Sequence, residues 1–180
     1  MLRYVTTNAG KVREANEYLG SSVRAVDHDY MEPQSTDLAE IAAYGAETCF
    51  EELPGDDPVL VDDAGLFIAG LNGFPGPYSA YVENTLGIER VAALALDEAD
   101  HSAEFRAVIG FADGTITKTF EGVVRGRIVE PRGDGGFGYD PIFAHGEQTF
   151  AEMSVAAKNA ISHRGRALER FADWFDEPTT

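Results

Sequence analysis

The stretch EFRAVIGFADGTITKTFEGVVRGRIV, residues 104–129, constrains the fold of this chain more than any other segment. It predicts two long strands that turn back on each other at Asp113-Gly114, a residue pair favoured in hairpin turns. Because hairpin strands are antiparallel, the sheet cannot be all-parallel. The rest of the chain alternates between predicted strands and predicted helices: strands at 2–6, 23–27, 59–63 and 142–144, and helices from Asn8 to Gly20, from Thr36 or Asp37 to about Leu53, at 88–99 and after Ser162. The sequence therefore predicts one α/β domain over residues 1–180 with a mixed β-sheet flanked by helices.

The charge of the chain limits the partners that it can bind. Its 31 acidic and 14 basic residues give a formal net charge of −17, which argues against a general nucleic-acid or anionic-membrane surface. Excess Asp and Glu with only three lysines is typical of a protein kept soluble in a salt-rich cytoplasm, where salt screens self-repulsion. The scarcity of lysine makes Lys11 and Lys158 informative, because both fall in motif-like stretches.

Two further features favour a cytoplasmic location. No stretch approaches the roughly 18 apolar residues of a membrane span, and the N-terminal MLRYVTTNAGK lacks an apolar signal region. The single Cys49 cannot form an intrachain disulfide, and its place on an apolar helical stripe predicts a packed thiol rather than a nucleophile.

Two stretches in the first half of the chain carry residues suited to phosphate and metal binding. TTNAGK, residues 6–11, joins a strand to a helix start, where free backbone N–H groups and the positive end of the helix dipole favour a phosphate. An ordinary capped helix with a surface lysine explains the same stretch. Asp62 and Asp63 follow an apolar strand and suit a hard cation such as Mg²⁺, although a solvated pair of acids is equally compatible. Since strand side chains alternate, only one of the two should face a given site.

Two stretches in the second half carry aromatic and basic residues. GDGGFGYDPIF places Phe137 and Tyr139 in a glycine-rich loop, where their rings could sandwich a base, with Asp140 at the end of the loop. KNAISHRGRALERF concentrates Lys158, His163 and Arg164 at a predicted helix start. Positive charge at that position opposes the helix dipole, and an anionic ligand would offset the cost.

Taken in order along the chain, these stretches resemble the Ham1-like inosine/xanthosine triphosphate pyrophosphatase family. The family pattern [ST]-x-N-x-x-K matches 6–11, and [DE]-D-[ST]-G-L followed by L-x-G-x-P-G-x-Y-S matches 62–66 and 71–79. G-F-G-Y-D-P-x-F matches 136–143, F-A-E-M matches 150–153, and K-x-x-[IL]-S-H-R matches 158–164. The match spans nearly the whole chain.

The resemblance implies an elongated mixed-sheet α/β fold with two lobes around a nucleotide-binding cleft, a homodimer, and Mg²⁺ as cofactor. It implies release of pyrophosphate from ITP, dITP or XTP, with Asp63 as the activating carboxylate that aligns a water against the α-phosphorus. It assigns the metal to Asp63 and Glu40, although by pattern alone Glu40 reads as a solvated charge on its helix. The residues that the resemblance implies for substrate binding are Thr6, Thr7, Asn8, Ala9, Gly10, Lys11 and Lys158 for the triphosphate, Ala64 through its backbone N–H, and Phe137, Gly138, Tyr139, Asp140, His163 and Arg164 for the base.

Three positions depart from the family pattern. Ala64 replaces a Ser or Thr, Tyr81 stands where many relatives have Arg, and Gly45 stands where many bacterial relatives have Lys. These departures bear on substrate preference and turnover rather than on the reaction class. The alternatives are a pyrophosphatase of other modified or canonical nucleotides and a nucleotide-binding regulator without turnover.

Overall fold

The structure is a computed structural model that describes residues 1–20 and 23–176. The predicted domain also includes residues 21, 22 and 177–180, which lie outside the described residues. The strands are β1 (Leu2–Val5), β2 (Val23–Val26), β3 (Val59–Ile68), β4 (Pro75–Gly76), β5 (Ser102–Ala112), β6 (Thr117–Ile128), β7 (Phe143–His145) and β8 (Gln148–Thr149). The helices are α1 (Ala9–Leu19), α2 (Leu38–Glu52), α3 (Ser79–Leu86), α4 (Ile88–Leu96), α5 (Val155–Asn159) and α6 (His163–Phe175), with 3-10 turns at Ala69–Leu71 and Asp140–Ile142.

The strands form one mixed sheet in the order β2-β1-β3-β5-β6-β7-β8, with β4 paired to β3. β1 is parallel to both β2 and β3, whereas β7 is antiparallel to β6 and β8. The predicted α/β fold with a mixed sheet is therefore confirmed. The predicted turn between β5 and β6 is also present, because Gly114 adopts φ +83° and the Asp113 side chain accepts hydrogen bonds from the N–H groups of Thr115 and Ile116.

Strand β3 is longer than predicted. The sequence suggested that the strand ends at Asp63, before Gly65, but it continues to Ile68. A β-carbon at Gly65 would lie 2.1 Å from the carbonyl oxygen of Gly76, so glycine is required by the close approach of β4 rather than by a turn. Asp62 and Asp63 therefore lie within the strand and not at its end.

The chain forms two compact units, each with its own core. The first unit comprises Met1–Asp63, Ala107–Gly122 and Arg164–Thr180. Its buried residues include Tyr4, Leu60, Phe111, Leu168 and Phe171. The second unit comprises Ala64–Arg106 and Val123–His163, and its buried residues include Leu66, Val91, Phe143 and Phe150.

Two features of the first unit bear on the sequence predictions. Helix α1 is capped at both predicted residues: Asn8 precedes it, and Gly20 ends it in the left-handed conformation with φ +63°. Cys49 is fully buried on α2, and burial raises the pKa of its thiol to about 11, so the prediction of a packed cysteine is confirmed. Within residues 1–20 and 23–176, no helix is both long enough and apolar enough to span a membrane.

Candidate active site

The turn before α1 exposes Thr7 and Asn8 to solvent. Some backbone N–H groups near this turn already donate hydrogen bonds to the Asn8 side chain. The Asn8 side-chain oxygen accepts hydrogen bonds from the N–H groups of Gly10, at 2.8 Å, and Lys11, at 3.4 Å. The Asn8 N–H donates in turn to the Thr6 hydroxyl. The sequence expectation of free N–H groups is therefore wrong for Gly10 and Lys11, because the N-cap side chain already accepts from them. A phosphate that used these donors would have to displace the Asn8 oxygen.

The Asp62 side chain joins two basic residues that are distant in sequence. Its Oδ1 accepts from the Lys11 ammonium at 2.8 Å, and its Oδ2 accepts from Arg164 Nε at 2.9 Å. The Asp62 side chain is 1% exposed, whereas those of Lys11 and Arg164 keep 25% and 18%. A second carboxylate, Glu14 on α1, lies 3.5 Å from Arg164 Nη1. Lys11 and Arg164 are thus held together in the first unit by one buried carboxylate.

The charges of this cluster shift the pKa values of its members. Burial alone would raise the pKa of Asp62, but the positive charges of Lys11 and Arg164 outweigh it and hold the pKa below its usual range. Burial acts to lower the pKa of Arg164, and the negative charge of Asp62 reverses this and raises it. Burial and then the Asp62 charge raise the pKa of Tyr4, whose buried hydroxyl lies near the Asp62 carboxylate without a well-aligned hydrogen bond among the described residues. Asp62 and Arg164 are therefore charged at neutral pH, with the neutral phenol of Tyr4 beside them.

The two predicted metal ligands belong to the first unit. Glu40 is exposed on α2 and its Oε2 accepts a hydrogen bond from the Ser35 hydroxyl at 2.6 Å, while Asp63 is half-buried on β3. Among the described residues, no group of three or more His, Cys, Asp or Glu side chains could hold a metal ion. Mg²⁺ usually takes only one or two carboxylates and completes its coordination with water and substrate phosphates. The carboxylates of Glu40 and Asp63 are the type of oxygen donor that this ion prefers, so the residue types fit Mg²⁺ in chemistry.

In the segment that matches L-x-G-x-P-G-x-Y-S, the Ser79 side chain joins two strands of the sheet. The Ser79 hydroxyl accepts from the Leu66 N–H at 2.8 Å and donates to the Gly76 carbonyl at 2.7 Å, which joins β3 to β4. These bonds hold the part of β3 that follows Ala64, the first residue of the second unit. Tyr81, at one of the departures from the family pattern, is 70% exposed on α3.

The glycine-rich loop presents one aromatic ring to solvent. Phe137 is 76% exposed, and the Lys158 ammonium lies 4.3 Å from its ring centroid. Asp140 is 3% exposed, and its Oδ2 accepts from the Phe137 N–H at 2.8 Å and from the Lys158 ammonium. A β-carbon at Gly136, where φ is +74°, would lie 2.0 Å from this oxygen. The loop is therefore shaped around the Asp140 carboxylate and needs glycine at position 136.

The second aromatic ring of the loop is part of the core. Tyr139 is 4% exposed, its hydroxyl donates to the Ser79 carbonyl at 2.8 Å, and burial raises its pKa to about 12. Its neighbour Gly138 has φ +59°, and a β-carbon there would lie 3.2 Å from Glu83 Oε2 on α3. Of the two rings expected to sandwich a base, only that of Phe137 is accessible for stacking, because Tyr139 anchors the loop to α3.

The basic residues near the C-terminus are arranged differently from the sequence expectation. Lys158 lies in the last turn of α5, where positive charge is favourable, and not at a helix start. His163 begins α6, and its ring stacks on Phe105 with the centroids 5.2 Å apart. Arg164 follows in the first turn of α6, where Asp62 and Glu14 offset its unfavourable position. Lys158, predicted for the triphosphate, thus lies among the residues predicted for the base, while Arg164, predicted for the base, lies with Lys11.

The sequence reasoning missed three contributors to these arrangements. It gave Asp62 no partner, did not mention Glu14, and did not connect Tyr30 with Gly45, although the Tyr30 ring lies directly against that glycine. A glycine on the buried side of a helix is a signal of close approach and could have indicated the last contact. No local signal indicates the other two, because their partners are remote in sequence.

Comparison with known proteins places the chain in a family. A model of the Ham1 family matches residues 2–174. A protein of Methanopyrus kandleri described as a dITP/XTP pyrophosphatase is 54% identical, with 96% of this chain and 94% of the relative covered. One of Thermococcus kodakarensis with the same description is 47% identical, with 98% and 97% covered. The solved HAM1 protein of Coxiella burnetii superimposes with a TM-score of 0.87 at 33% identity, with 98% of each chain covered. The chain therefore belongs to the Ham1 family.

Proposed function

We propose that this protein hydrolyses non-canonical purine nucleoside triphosphates, namely dITP, ITP and XTP, to the monophosphate and pyrophosphate. One structural observation carries the proposal: Lys11, one turn into a helix that begins at an exposed polar turn, is held by Asp62, the immediate neighbour of Asp63. The descriptions of the relatives support the choice of substrate.

In the proposed reaction a water molecule attacks the α-phosphorus. A bond forms between the water oxygen and phosphorus, the bond from phosphorus to the oxygen that bridges the α- and β-phosphates breaks, and pyrophosphate leaves. Asp63 orients the water and accepts its proton. Lys11 and the N-terminal turn of α1 stabilise negative charge on the phosphates.

Mg²⁺ is the expected cofactor, and Asp63 and Glu40 would hold it. A bound divalent cation would neutralise phosphate charge and lower the pKa of water. The Glu40 carboxylate is exposed, and a metal ion bound there would replace its hydrogen bond from Ser35. A homodimer remains a prediction alongside the metal.

Base selection against adenine depends on the 6-keto group, which hypoxanthine and xanthine carry where adenine has an amino group. Guanine shares the 6-keto group, so its exclusion must depend on the 2-position. The exposed Phe137 ring offers a face on which a purine can stack. Donors from His163 or from backbone N–H groups would pair with the 6-keto oxygen. An adenine amino group would leave such buried donors unpaired, at a cost of about 1–3 kcal/mol each.

The test is product analysis with purified protein, Mg²⁺ and dITP, XTP, GTP, ATP or dTTP, at low and at molar KCl. Monophosphate and pyrophosphate from dITP and XTP, with little from the other nucleotides, is the expected result. Equal turnover of dTTP or ATP would favour a pyrophosphatase of broader range. Orthophosphate with a diphosphate would mean attack at the γ-phosphorus, and tight binding without turnover at any salt concentration would indicate a regulator.

A further inference from the structure

The Asp62 carboxylate is the central contact between two cations of the first unit. One of its oxygens binds the Lys11 ammonium of α1, and the other binds Nε of Arg164 on α6. The two cations lie 51 and 102 residues away from Asp62 along the chain. Each carboxylate oxygen therefore fixes the head of one long, flexible side chain.

Burial makes this arrangement more than a surface ion pair. Exposed ion pairs hold long side chains weakly, because water and salt compete for both charges. The Asp62 side chain is 1% exposed and has two cationic partners, so neither water nor salt readily replaces it. Both cations still reach solvent, since the side chains of Lys11 and Arg164 are 25% and 18% exposed.

The contact with Asp62 leaves N–H donors of the Lys11 ammonium available for an anion. An ammonium has three N–H donors, and Asp62 accepts from Lys11 at one oxygen. Lys11 also lies in the first turn of α1, close in sequence to the exposed residues Thr7 and Asn8. An ammonium ordered by a buried carboxylate on one side can donate to a phosphate on the other without losing much further conformational freedom.

We propose that Asp62 is a positioning residue of the hydrolysis, which orders the Lys11 ammonium for the substrate phosphates and ties it to Arg164 at the start of α6. The inference rests on the proposed function. It gives Asp62 no contact with the substrate, so its effect on the reaction passes through the cations that it holds.

A double-mutant cycle with dITP and Mg²⁺ tests the inference, using Asp62→Asn, Lys11→Met and the double variant. An asparagine amide can accept from only one of the two cations, so Asp62→Asn should raise KM by about 10-fold in the otherwise unchanged protein. In the Lys11→Met background the same change should raise KM by no more than about 3-fold, because the Lys11 contribution is already lost. A purely structural role would give the same factor in both backgrounds, and that result would overturn the inference.

Glu104→Gln is the matched control. Glu104 also bridges two cations, Arg106 at 2.7 Å and Arg125 at 3.0 Å, but it lies in the second unit and outside the predicted site residues. The Glu104→Gln protein should have a KM within about twofold of the original value. An equal rise in KM for Glu104→Gln would show that loss of any such bridge impairs the enzyme, which would also overturn the inference.

Two provisions keep the test decisive. If Asp62→Asn does not fold, Asp62→Glu preserves the charge and shifts the carboxylate by one methylene group, and the same cycle is run with it. Failure of both variants to fold would assign Asp62 to stability alone. If the unaltered protein releases no pyrophosphate from dITP or XTP, the proposed function fails, whereas turnover with independent effects of the two mutations overturns only the role of Asp62.

Discussion

The Tyr30 ring occupies the space beside Gly45 of helix α2: a β-carbon at position 45 would lie 2.7 Å from Tyr30 Oη and 2.8 Å from Cε2. Burial and then the charge of Glu32 raise the pKa of Tyr30, so its hydroxyl stays neutral at physiological pH. Gly45 is the position at which many bacterial relatives have Lys. In this chain a tyrosine from the segment between β2 and α2 fills the space that such a side chain would need.

Gly45→Ala should destabilise the protein, although alanine is the better helix former. Helix propensity alone would stabilise the variant by about 1 kcal/mol. Displacement of the Tyr30 ring should cost about 1–3 kcal/mol, so the net change in the free energy of unfolding should be a loss. Urea denaturation measures the sign of this change in the free energy of unfolding. In the Tyr30→Ala background the same substitution should become stabilising, and a gain in both backgrounds would show that the ring does not restrict position 45.

Asp63→Asn should lower kcat for dITP by at least ~10²-fold, because an amide cannot accept the proton of the attacking water. The control is Asp56→Asn, which removes an exposed carboxylate from the loop before β3. Steady-state kinetics at saturating Mg²⁺ measure kcat for both variants, and only Asp63→Asn should show the loss. Turnover of Asp63→Asn within a few-fold of the original would exclude Asp63 as the base.

The local parts of the site could be predicted from the sequence, whereas its long-range pairs could not. Asn8 and Gly20 identified the ends of α1, because capping depends on residues within one turn of the helix end. The partners of Asp62 and the contact between Tyr30 and Gly45 depend on how remote segments pack, and no local pattern encodes that packing. The same limit explains why Arg164 was assigned to the base and Lys158 to the phosphates.

Tyr4→Phe should cost less stability than Tyr139→Phe. The Tyr4 hydroxyl is buried near the Asp62 carboxylate without a well-aligned hydrogen bond among the described residues, so its removal should change the free energy of unfolding by less than about 1 kcal/mol. The Tyr139 hydroxyl donates to the Ser79 carbonyl at 2.8 Å, and its removal should cost about 1 kcal/mol or more. Equilibrium denaturation of both variants provides the comparison, and a loss for Tyr4→Phe as large as that for Tyr139→Phe would contradict it.

Asp62 should make stability depend on pH in the acid range. Although burial opposes it, Lys11 and Arg164 hold the folded-state pKa of Asp62 below its ordinary value of 3.8. A carboxylate with a depressed folded pKa stabilises the fold above its unfolded pKa, about 3.9, and loses that contribution as the pH falls through the folded pKa. The difference in unfolding free energy between the original protein and Asp62→Asn should therefore be largest at neutral pH and shrink below about pH 4. Glu104→Gln should show a smaller change of the same sign. Burial opposes the shift of Glu104 as well, and Arg125 and Arg106, which lower its pKa, are more exposed than Lys11 and Arg164. A difference for Asp62→Asn that stays constant between pH 7 and pH 3 would contradict the assignment.

Gly136→Ala should impair nucleotide binding more than it impairs folding. Alanine at φ +74° is strained by about 1 kcal/mol, and its β-carbon would also lie 2.0 Å from Asp140 Oδ2, the oxygen that accepts from Phe137 and Lys158. Gly146→Ala is the matched control, because Gly146 has φ +66° but nothing within 4 Å of its β-carbon position.

Both variants should lose similar stability from backbone strain, but only Gly136→Ala should also displace Asp140 and the exposed Phe137 ring. We expect KM for dITP to rise by about 10-fold or more in Gly136→Ala and to stay within about twofold in Gly146→Ala. Equal KM values for the two variants would mean that the loop around Asp140 does not contact the substrate.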